Sequence, residues 1–281
     1  MSSPGVCPRI VLSLTVVVCL IAASAKAQTP APAPEPAKDE DAVVRPVEPD
    51  FKLVNLPTTL PLPFRGMNFG LTHRFAGNLR DGSFGHQLDN LFGLDQGAIV
   101  GLEFRYAVAR RVQAVFVRTS FDKDIEFYGK WDGIRQGGSR PVSVSGLLSV
   151  EGSDNFRKRY EPAIGAVVAR TIGDRVALYA TPVWVHDTAA EAGLHQDTTI
   201  LGLGGRARIG DSTFVVAEVS PRLGGYAPGD PEYGFGIEKR VGGHTFQLNF
   251  SNTFSTTFGQ LARGGFPTTL YLGFNLARKF F

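Results

Sequence analysis

The 281-residue sequence predicts an all-β protein, an antiparallel transmembrane up-and-down β-barrel of twelve strands. Three observations predict this fold. Apolar and polar residues alternate with a period of two through residues 64–281, short and long connections alternate between the segments, and the chain holds 33 glycines and 21 phenylalanines. Successive side chains of a strand point to opposite faces, so each segment has one apolar face suited to lipid and one polar face.

The alternation is clear around residue 104. Leu102, Phe104 and Tyr106 share one face of the predicted strand, and Glu103 and Arg105 share the other. The same pattern recurs in the segments 67–74, 231–240 and 244–253. A helical period of 3.6 residues fits none of these segments, which excludes a helical bundle.

The connections between the segments alternate between tight turns and long polar loops. Tight turns are predicted at Ala109-Arg110, Gly137-Gly138, Gly173-Asp174, Gly210-Asp211 and Gly242-Gly243. Long loops are predicted at 75–95, 120–124, 152–160, 187–197, 223–230 and 254–267. Five turns and six loops join twelve strands, and short turns at one end with long loops at the other are typical of outer-membrane barrels.

The first 27 residues have the pattern of a cleaved signal peptide. Arg9 precedes the apolar run 10–23, and Ala25-Lys26-Ala27 is an A-x-A site that predicts cleavage after Ala27. Cys7 and Cys19 both lie in this segment. We therefore expect a mature chain without disulfides, cysteine metal ligands or a cysteine nucleophile.

Residues 28–63 are dominated by Pro and Ala and predict a disordered linker before the barrel of residues 64–281. The formal net charge of the whole chain is only +3. Such a balance disfavours a nucleic-acid partner, because phosphate binding needs an excess of Lys and Arg.

The C-terminal segment predicts an assembly signal. Phe274 and Leu276 belong to an alternating strand, and the chain ends in Phe280 and Phe281, which resembles the terminal signal read by the bacterial barrel-assembly machinery. The apolar residues are even-numbered, and Arg278 interrupts them. Either a bulge near the end or a signal read from Phe280 would reconcile the sequence with that pattern.

Two segments, LTHRFAGNL (71–79) and LFGLDQGAIVGLEFRYAV (91–108), resemble an uncharacterised bacterial outer-membrane β-barrel family of unknown function. Residues 117–120, Lys130 and Arg135-Gln136 fit its pattern more loosely, and the resemblance extends over about residues 65–281. It implies a barrel in the outer membrane of a diderm bacterium, and it implies no substrate.

The polar faces of the predicted strands place eight basic and eight acidic residues in the lumen. At Arg118 the parity of the strand is ambiguous. The set is Arg74, Glu103, Arg105, Arg118, Glu126, Lys130, Asp132, Glu151, Glu161, Arg206, Arg208, Glu218, Arg222, Glu232, Glu238 and Arg240. These charges line a water-filled pore of weak ion selectivity, or they pair and fill a narrow lumen.

The leading functional hypothesis is a porin-like passive channel for small hydrophilic solutes that needs no cofactor. The alternatives are a non-conducting barrel that is structural or binds a partner through its loops, an outer-membrane hydrolase, and a soluble ligand-binding barrel with Phe104 and Tyr106 packed inward. The expected partners are outer-membrane lipids, and during biogenesis the barrel-assembly machinery and periplasmic chaperones. The oligomeric state is not predicted.

The sequence predicts no catalytic, cofactor-binding or metal site. Ser120 and Ser220 have no spacing that ties them to a histidine, as a hydrolase nucleophile would need. One loop brings together residues that could form a metal site or an acid–base pair, although an exposed polar loop tip is the simpler interpretation. They are His186, Asp187, His195 and Asp197.

Two loops contain helical patterns. Leu88, Leu91 and Phe92 have helical spacing in the first long loop, and Gly93 could end the helix. Such a helix would either fold into the barrel mouth as a constriction or rest on the rim. The stretch 257–262 in the last loop could do the same.

Overall fold

The computed structural model describes residues 47–189, 191 and 193–281. The predicted signal peptide with its cleavage site at Ala27 lies outside these residues, as does the first part of the predicted linker, 28–46. In the part of the chain that is described, no helix is long and apolar enough to span a membrane.

The strands of the described residues form one antiparallel sheet. A proline has no N–H to donate to a ladder, and Pro221 divides one strand into β9 and β10, which both pair with β8. The sheet therefore has the twelve strands that the sequence predicts. Their bounds are β1 (Met67–Asn78), β2 (Ala98–Ala109), β3 (Val112–Thr119), β4 (Ile125–Ile134), β5 (Ser143–Gly152), β6 (Lys158–Ile172), β7 (Val176–Val185), β8 (Thr198–Arg208), β9 (Thr213–Ser220), β10 (Arg222–Gly225), β11 (Glu232–Val241), β12 (His244–Ser251) and β13 (Tyr271–Phe280).

The sheet closes on itself. Each strand pairs with its neighbours along the chain, and β1 pairs with β13 from Met67 opposite Phe280 to Arg74 opposite Gly273. Closure joins the first strand to the last, as a barrel in lipid requires, and only the short β10 at the loop end pairs on one side alone among the strands of the described residues. The short connections and the start of β1 define the turn end of the barrel, and the long connections define its loop end.

The C-terminal strand needs no bulge. Its pairing with β1 is regular from Gly273 to Phe280, so one of the two explanations for its phase is wrong. Phe280 lies on the outward face in register with Met67, and Phe281 follows the end of the strand. The role of these residues in assembly stays a prediction.

A row of aromatic residues crosses the outer surface. Phe69, Phe104, Phe116 and Phe127 are direct partners on β1 to β4, with neighbouring ring centroids 5.0 to 6.3 Å apart. Phe104 and Tyr106 are exposed on this face. The soluble-barrel alternative required these side chains to point inward, so the structure contradicts it.

The first long loop rests on the rim. It contains α1 (Phe84–Asp89) and a 3-10 helix (Leu91–Gln96). Gln87 Nε2 donates to the carbonyl of Asn78 on β1 at 3.1 Å. Phe84 is 72% exposed, so this loop does not constrict the lumen. Of the two expectations for this loop, the helix on the rim is the one that the structure shows. Two further short elements are α2 (Ser153–Phe156) and α3 (Phe258–Arg263).

Candidate functional site

The inner wall of the barrel carries most of the charges that the sequence places there. Arg208 and Arg240 share the inward face near the turn end and are partly exposed, while Arg222 lies at the loop end. Twelve residues of the predicted set are buried on the inward face: Arg74, Glu103, Arg105, Glu126, Lys130, Asp132, Glu151, Glu161, Arg206, Glu218, Glu232 and Glu238.

Arg118 is the exception. Val115 and Val117 are buried on the inward face of β3, so Arg118 lies on the outward face, and its assignment to the lumen is wrong. Its guanidinium donates to Asn155 Oδ1 at 2.8 Å near the loop end. The cause is that β3 turns valines inward and alternates only weakly between apolar and polar residues.

The lumen contains a segment of the chain itself. Residues 47–62, here called the lumen hairpin, fold back inside the barrel, where Leu53 N donates to Leu56 O at 2.8 Å and Thr58 N donates to Phe51 O at 2.9 Å. Leu53 and Leu56 are completely buried. The expectation of a disordered linker is therefore wrong for this part of 28–63. The lumen buries apolar side chains that the hairpin could not bury alone.

The tip of the hairpin binds a wall carboxylate through its backbone. Glu218 on β9 accepts the N–H groups of Val54, Asn55 and Leu56 at 3.0, 2.7 and 3.1 Å. Converging backbone N–H groups of this kind form a concave anion-binding nest, and charge-assisted hydrogen bonds are stronger than neutral ones. The Asn55 side chain donates to Glu232 at 3.0 Å and accepts from Arg74 at 3.1 Å.

Other wall side chains donate to hairpin carbonyls. Lys130 Nζ on β4 lies 3.0 Å from Thr58 O and 2.7 Å from Leu60 O. Neutral polar residues that the sequence alternation did not mark as candidates take part as well, and one of them, Gln113, shares the inward face of β3 with Val115 and Val117. The further pairs are Gln113–Leu60 O at 3.2 Å, Arg206–Lys52 O at 2.7 Å, Gln247–Leu53 O at 2.9 Å, Asn275–Val54 O at 2.8 Å and Thr245–Pro49 O at 3.3 Å.

Glycines in the wall leave room for the hairpin tip. A Cβ at Gly202 on β8 would lie 2.7 Å from Leu56 Cδ2, and a Cβ at Gly234 on β11 would lie 3.0 Å from Val54 Cγ1. Any larger residue at these two positions would displace the hairpin. The wall is thus shaped to the segment that it holds.

The buried charges pair with one another and with the hairpin. Glu103 binds Arg105 at 2.8 Å and Lys52 of the hairpin at 2.9 Å, and Arg206 binds Glu238 at 2.9 Å. Lys130 binds Asp132 at 3.2 Å. Buried charges need such partners. This pairing agrees with the filled-lumen interpretation of the polar face.

Helix α3 of the last loop occupies the loop end of the lumen, as the stretch 257–262 suggested. Glu151 accepts the Gly259 N–H at 2.9 Å, and Arg263 donates twice to Glu161 at 2.6 and 2.7 Å. Burial lowers the pKa of Arg263, but the carboxylates of Glu161, Glu151 and Asp124 outweigh it and raise the pKa above its usual value.

The hairpin and α3 meet inside the barrel. Asn55 and Pro57 of the hairpin line the same small cavity as Phe258 and Leu261 of α3. The Phe258 ring also packs against Tyr128 of the wall, with ring centroids 5.5 Å apart. The lumen is therefore occupied from the turn end by the hairpin and from the loop end by α3.

The two candidate serines bind groups other than histidine, while the candidate histidines and aspartates of the loop contact one another. The hydroxyl of Ser220 donates to Glu232 at 2.7 Å, and that of Ser120 accepts from Val100 N at 2.9 Å. Two histidines of one exposed loop each contact an aspartate. The pairs are His186 with Asp197 at 2.7 Å and His195 with Asp187 at 3.0 Å. In the described residues, no group of three or more His, Cys, Asp or Glu could hold a metal ion.

A family model described as a membrane bound beta barrel domain (DUF5777) matches residues 50–280. The chain belongs to this family. The match begins inside the lumen hairpin, so the family pattern spans the hairpin tip and the whole barrel. The resemblance stated for the sequence is confirmed at the level of a membrane barrel family of unknown function.

Solved structures with the same fold include two outer-membrane proteins. The NanC porin superposes with a TM-score of 0.53 at 6% identity, over 76% of this chain and 100% of that one. The COG4313 outer membrane channel from Pseudomonas putida F1 superposes with a TM-score of 0.50 at 11% identity, over 78% and 97%. No curated protein matches the sequence. The predicted fold, a closed antiparallel membrane barrel, is confirmed.

Proposed function

We propose that this protein is an outer-membrane channel for small hydrophilic solutes, which the lumen hairpin and α3 close from opposite ends. The observation that carries the proposal is the way the hairpin is held. Its main chain is hydrogen-bonded to charged and amide side chains such as Glu218, Lys130 and Gln247. These groups suit water equally well, so the wall would remain a polar pore after the hairpin leaves.

The structural neighbours add support, since one is titled a porin and the other an outer membrane channel. Export by the signal peptide, and cleavage after Ala27, would deliver the barrel to the outer membrane. The long loops would then face the exterior and the turn end would face the periplasm.

A second candidate is a permanently closed barrel that serves as a structural protein or presents its loops to a partner. The occupied lumen favours it. The two candidates differ in one respect, because only the channel requires the hairpin and α3 to leave the lumen. Electrical conductance therefore separates them.

The test compares residues 28–281 with a variant whose two obstructions are expelled. Leu53→Asp and Leu56→Asp place carboxylates beside Glu218 in buried positions, and Arg263→Glu turns the ion pair with Glu161 into repulsion. A matched control carries Leu88→Asp and Leu91→Asp on the exposed first loop. Each protein is refolded, shown to be folded by heat-dependent migration in gels, and inserted into planar bilayers.

We expect stable, ohmic current steps from the triple variant and long closed periods from the wild type and the control. Reversal potentials in a salt gradient would show weak ion selectivity, since the predicted lumen residues other than Arg118 comprise eight acidic and seven basic side chains. Silence from a folded, inserted triple variant would overturn the channel and establish the closed barrel. A wild type that conducts without closed periods would contradict the proposal that the hairpin and α3 close the channel.

A further inference from the structure

The wall of the lumen binds the main chain of the hairpin more than its side chains. Six hairpin carbonyls accept hydrogen bonds from wall side chains, and three consecutive N–H groups donate to Glu218. The six carbonyls belong to Pro49, Lys52, Leu53, Val54, Thr58 and Leu60. Fewer hairpin side chains form polar contacts with the wall: Glu48, Lys52 and Asn55 form hydrogen bonds or an ion pair, and the Asp50 carboxylate lies in the field of Arg206 and Lys279.

Main-chain groups are the same in every peptide. A site that binds them gains affinity without reading the sequence, as in the addition of a peptide strand to a sheet edge, where pockets for side chains supply the specificity. Here Lys130, Gln247 and Asn275 supply donors for carbonyls, and Glu218 supplies an acceptor for N–H groups.

The same wall provides pockets for apolar side chains. Leu56 packs over Gly202, and Val54 packs over Gly234. Leu53 similarly lies against Gly204 on the same strand as Gly202. These are positions where the wall has no side chain, so the pockets have room for aliphatic side chains of a bound peptide.

The size of the site excludes a single amino acid as its natural occupant. Asn275 holds the carbonyl of Val54 and Lys130 holds the carbonyl of Leu60, six residues further along the chain. Thr245 holds the carbonyl of Pro49 on the other arm of the hairpin. The donors are therefore spaced for a peptide of several residues.

We propose that this wall is a binding site for short peptides, and that the lumen hairpin is its intramolecular occupant. The inference rests on the proposed channel function and names its solute class. A peptide in the opened channel replaces the hairpin, donates N–H groups to Glu218 and accepts at its carbonyls from Lys130, Gln247 and Asn275. Because the main chain carries the contacts, many sequences are accepted.

The test adds peptides to the conducting triple variant, in which every wall residue of this site is native. The probes are a capped peptide of residues 47–62, a capped peptide of the same composition in scrambled order, and the first peptide with N-methyl groups at the positions of Val54, Asn55 and Leu56. A malto-oligosaccharide of similar mass is the non-peptide solute. The readout is the concentration that halves the single-channel current.

We expect the native and scrambled peptides to block at similar concentrations. The N-methylated peptide should need about tenfold more or higher, because it cannot donate to Glu218. The oligosaccharide should block least. In the same background, Glu218→Gln should weaken the peptide block, whereas Glu161→Gln, at a carboxylate beside α3, should leave it unchanged.

Three outcomes would overturn the peptide site: block by the native peptide alone, block that ignores N-methylation, or block by none of the peptides. The first would make the hairpin a dedicated plug with sequence-specific binding. In all three cases the current steps persist, so the channel function stands. Loss of the steps themselves is the separate failure of that function.

Discussion

The backbone N–H of Asn55 donates to Glu218 Oε1 across 2.7 Å, which joins the hairpin tip to strand β9. Glu218 also accepts the N–H groups on either side, from Val54 and Leu56. One wall carboxylate therefore satisfies three backbone donors that are buried away from water. Buried donors without a partner are costly, so this carboxylate is central to the seating of the hairpin.

Removal of that carboxylate should weaken one of the two closures, so that the channel opens more often. Glu218→Ala leaves the three N–H groups without their acceptor, and hydrogen bonds to a charged group contribute about 1.5 to 3 kcal/mol each. Even a net loss of about 1.4 kcal/mol shifts the closed-to-open ratio tenfold. Open probability in planar bilayers measures the shift. Glu191→Ala, in an exposed loop, is the control, and an open probability equal to that of the wild type in Glu218→Ala would contradict the prediction.

A reversible crosslink should hold the hairpin in the lumen. A Cβ at Gly234 would lie 3.2 Å from Val54 Cβ, close to the 3.5 to 4.5 Å usual for a disulfide. Both natural cysteines, Cys7 and Cys19, precede the predicted cleavage site, so an engineered pair has no competing thiol. The variant V54C/G234C should be closed when oxidised and should recover wild-type gating in a thiol reductant.

Each single cysteine variant is the control for the crosslink, and neither should respond to the reductant. The prediction requires the disulfide to lower the open probability. If the oxidised double variant, with its disulfide shown by mass spectrometry, opens as often as the reduced protein, then opening does not require the hairpin tip to leave β11.

The closed state should be favoured by acid through Asp50 in the hairpin. Burial raises the pKa of Asp50 above its ordinary value of 3.8, although Arg206 and Lys279 oppose the rise. An acid with a raised pKa in the docked state binds a proton more tightly there than in the released hairpin. Docking is therefore favoured at low pH and loses this contribution as the pH rises through the raised pKa.

The measurement is open probability as a function of pH for the wild type and for Asp50→Asn. The asparagine keeps an oxygen that accepts the Phe51 N–H but does not titrate, so the variant should lose part of the pH dependence and stay more closed at neutral pH. Other lumen carboxylates titrate in both proteins, so the difference between the two curves isolates Asp50. Identical curves would show that Asp50 has no part in gating.

The fold was predictable because the two faces of a membrane barrel require apolar and polar residues in alternation along each strand. Phe104 and Tyr106 face lipid, and Glu103 and Arg105, which alternate with them along β2, face the lumen. Pattern failed at Arg118, because β3 buries valines on its lumen side and so reverses the usual order. Alternation shows that successive residues face different environments. Where both faces of a strand are apolar, as in β3, alternation does not show which face meets lipid.

The lumen hairpin escaped prediction for a different reason. Its composition is rich in Pro, and it has no period that marks a helix or a strand. The segment FKLVNL (51–56) was the available signal, since four of its six residues are apolar inside a region expected to be disordered. The partners of the hairpin, such as Gln113, Gln247 and Asn275, are far from it in sequence, and only the closed barrel brings them to it.

The last prediction concerns the loop end, where one cation neutralises several carboxylates. Arg263 of α3 contacts Glu161 at 2.6 Å, Asp124 at 3.4 Å and Glu151 at 3.6 Å. Arg263→Gln removes the buried positive charge and leaves carboxylates that repel one another. We expect α3 to leave the lumen, which would expose the ring of Phe258 to solvent.

Chymotrypsin cleavage after Phe258 in folded, detergent-solubilised protein should accelerate at least about tenfold, as expected for a shift of about 1.4 kcal/mol or more. Arg80→Gln, in the exposed first loop, should not change the rate. Since protonation of the carboxylates relieves their repulsion, lowering the pH should slow the cleavage of Arg263→Gln relative to the control at the same pH. Equal cleavage of the two variants at neutral pH would show that Arg263 does not hold α3 in place.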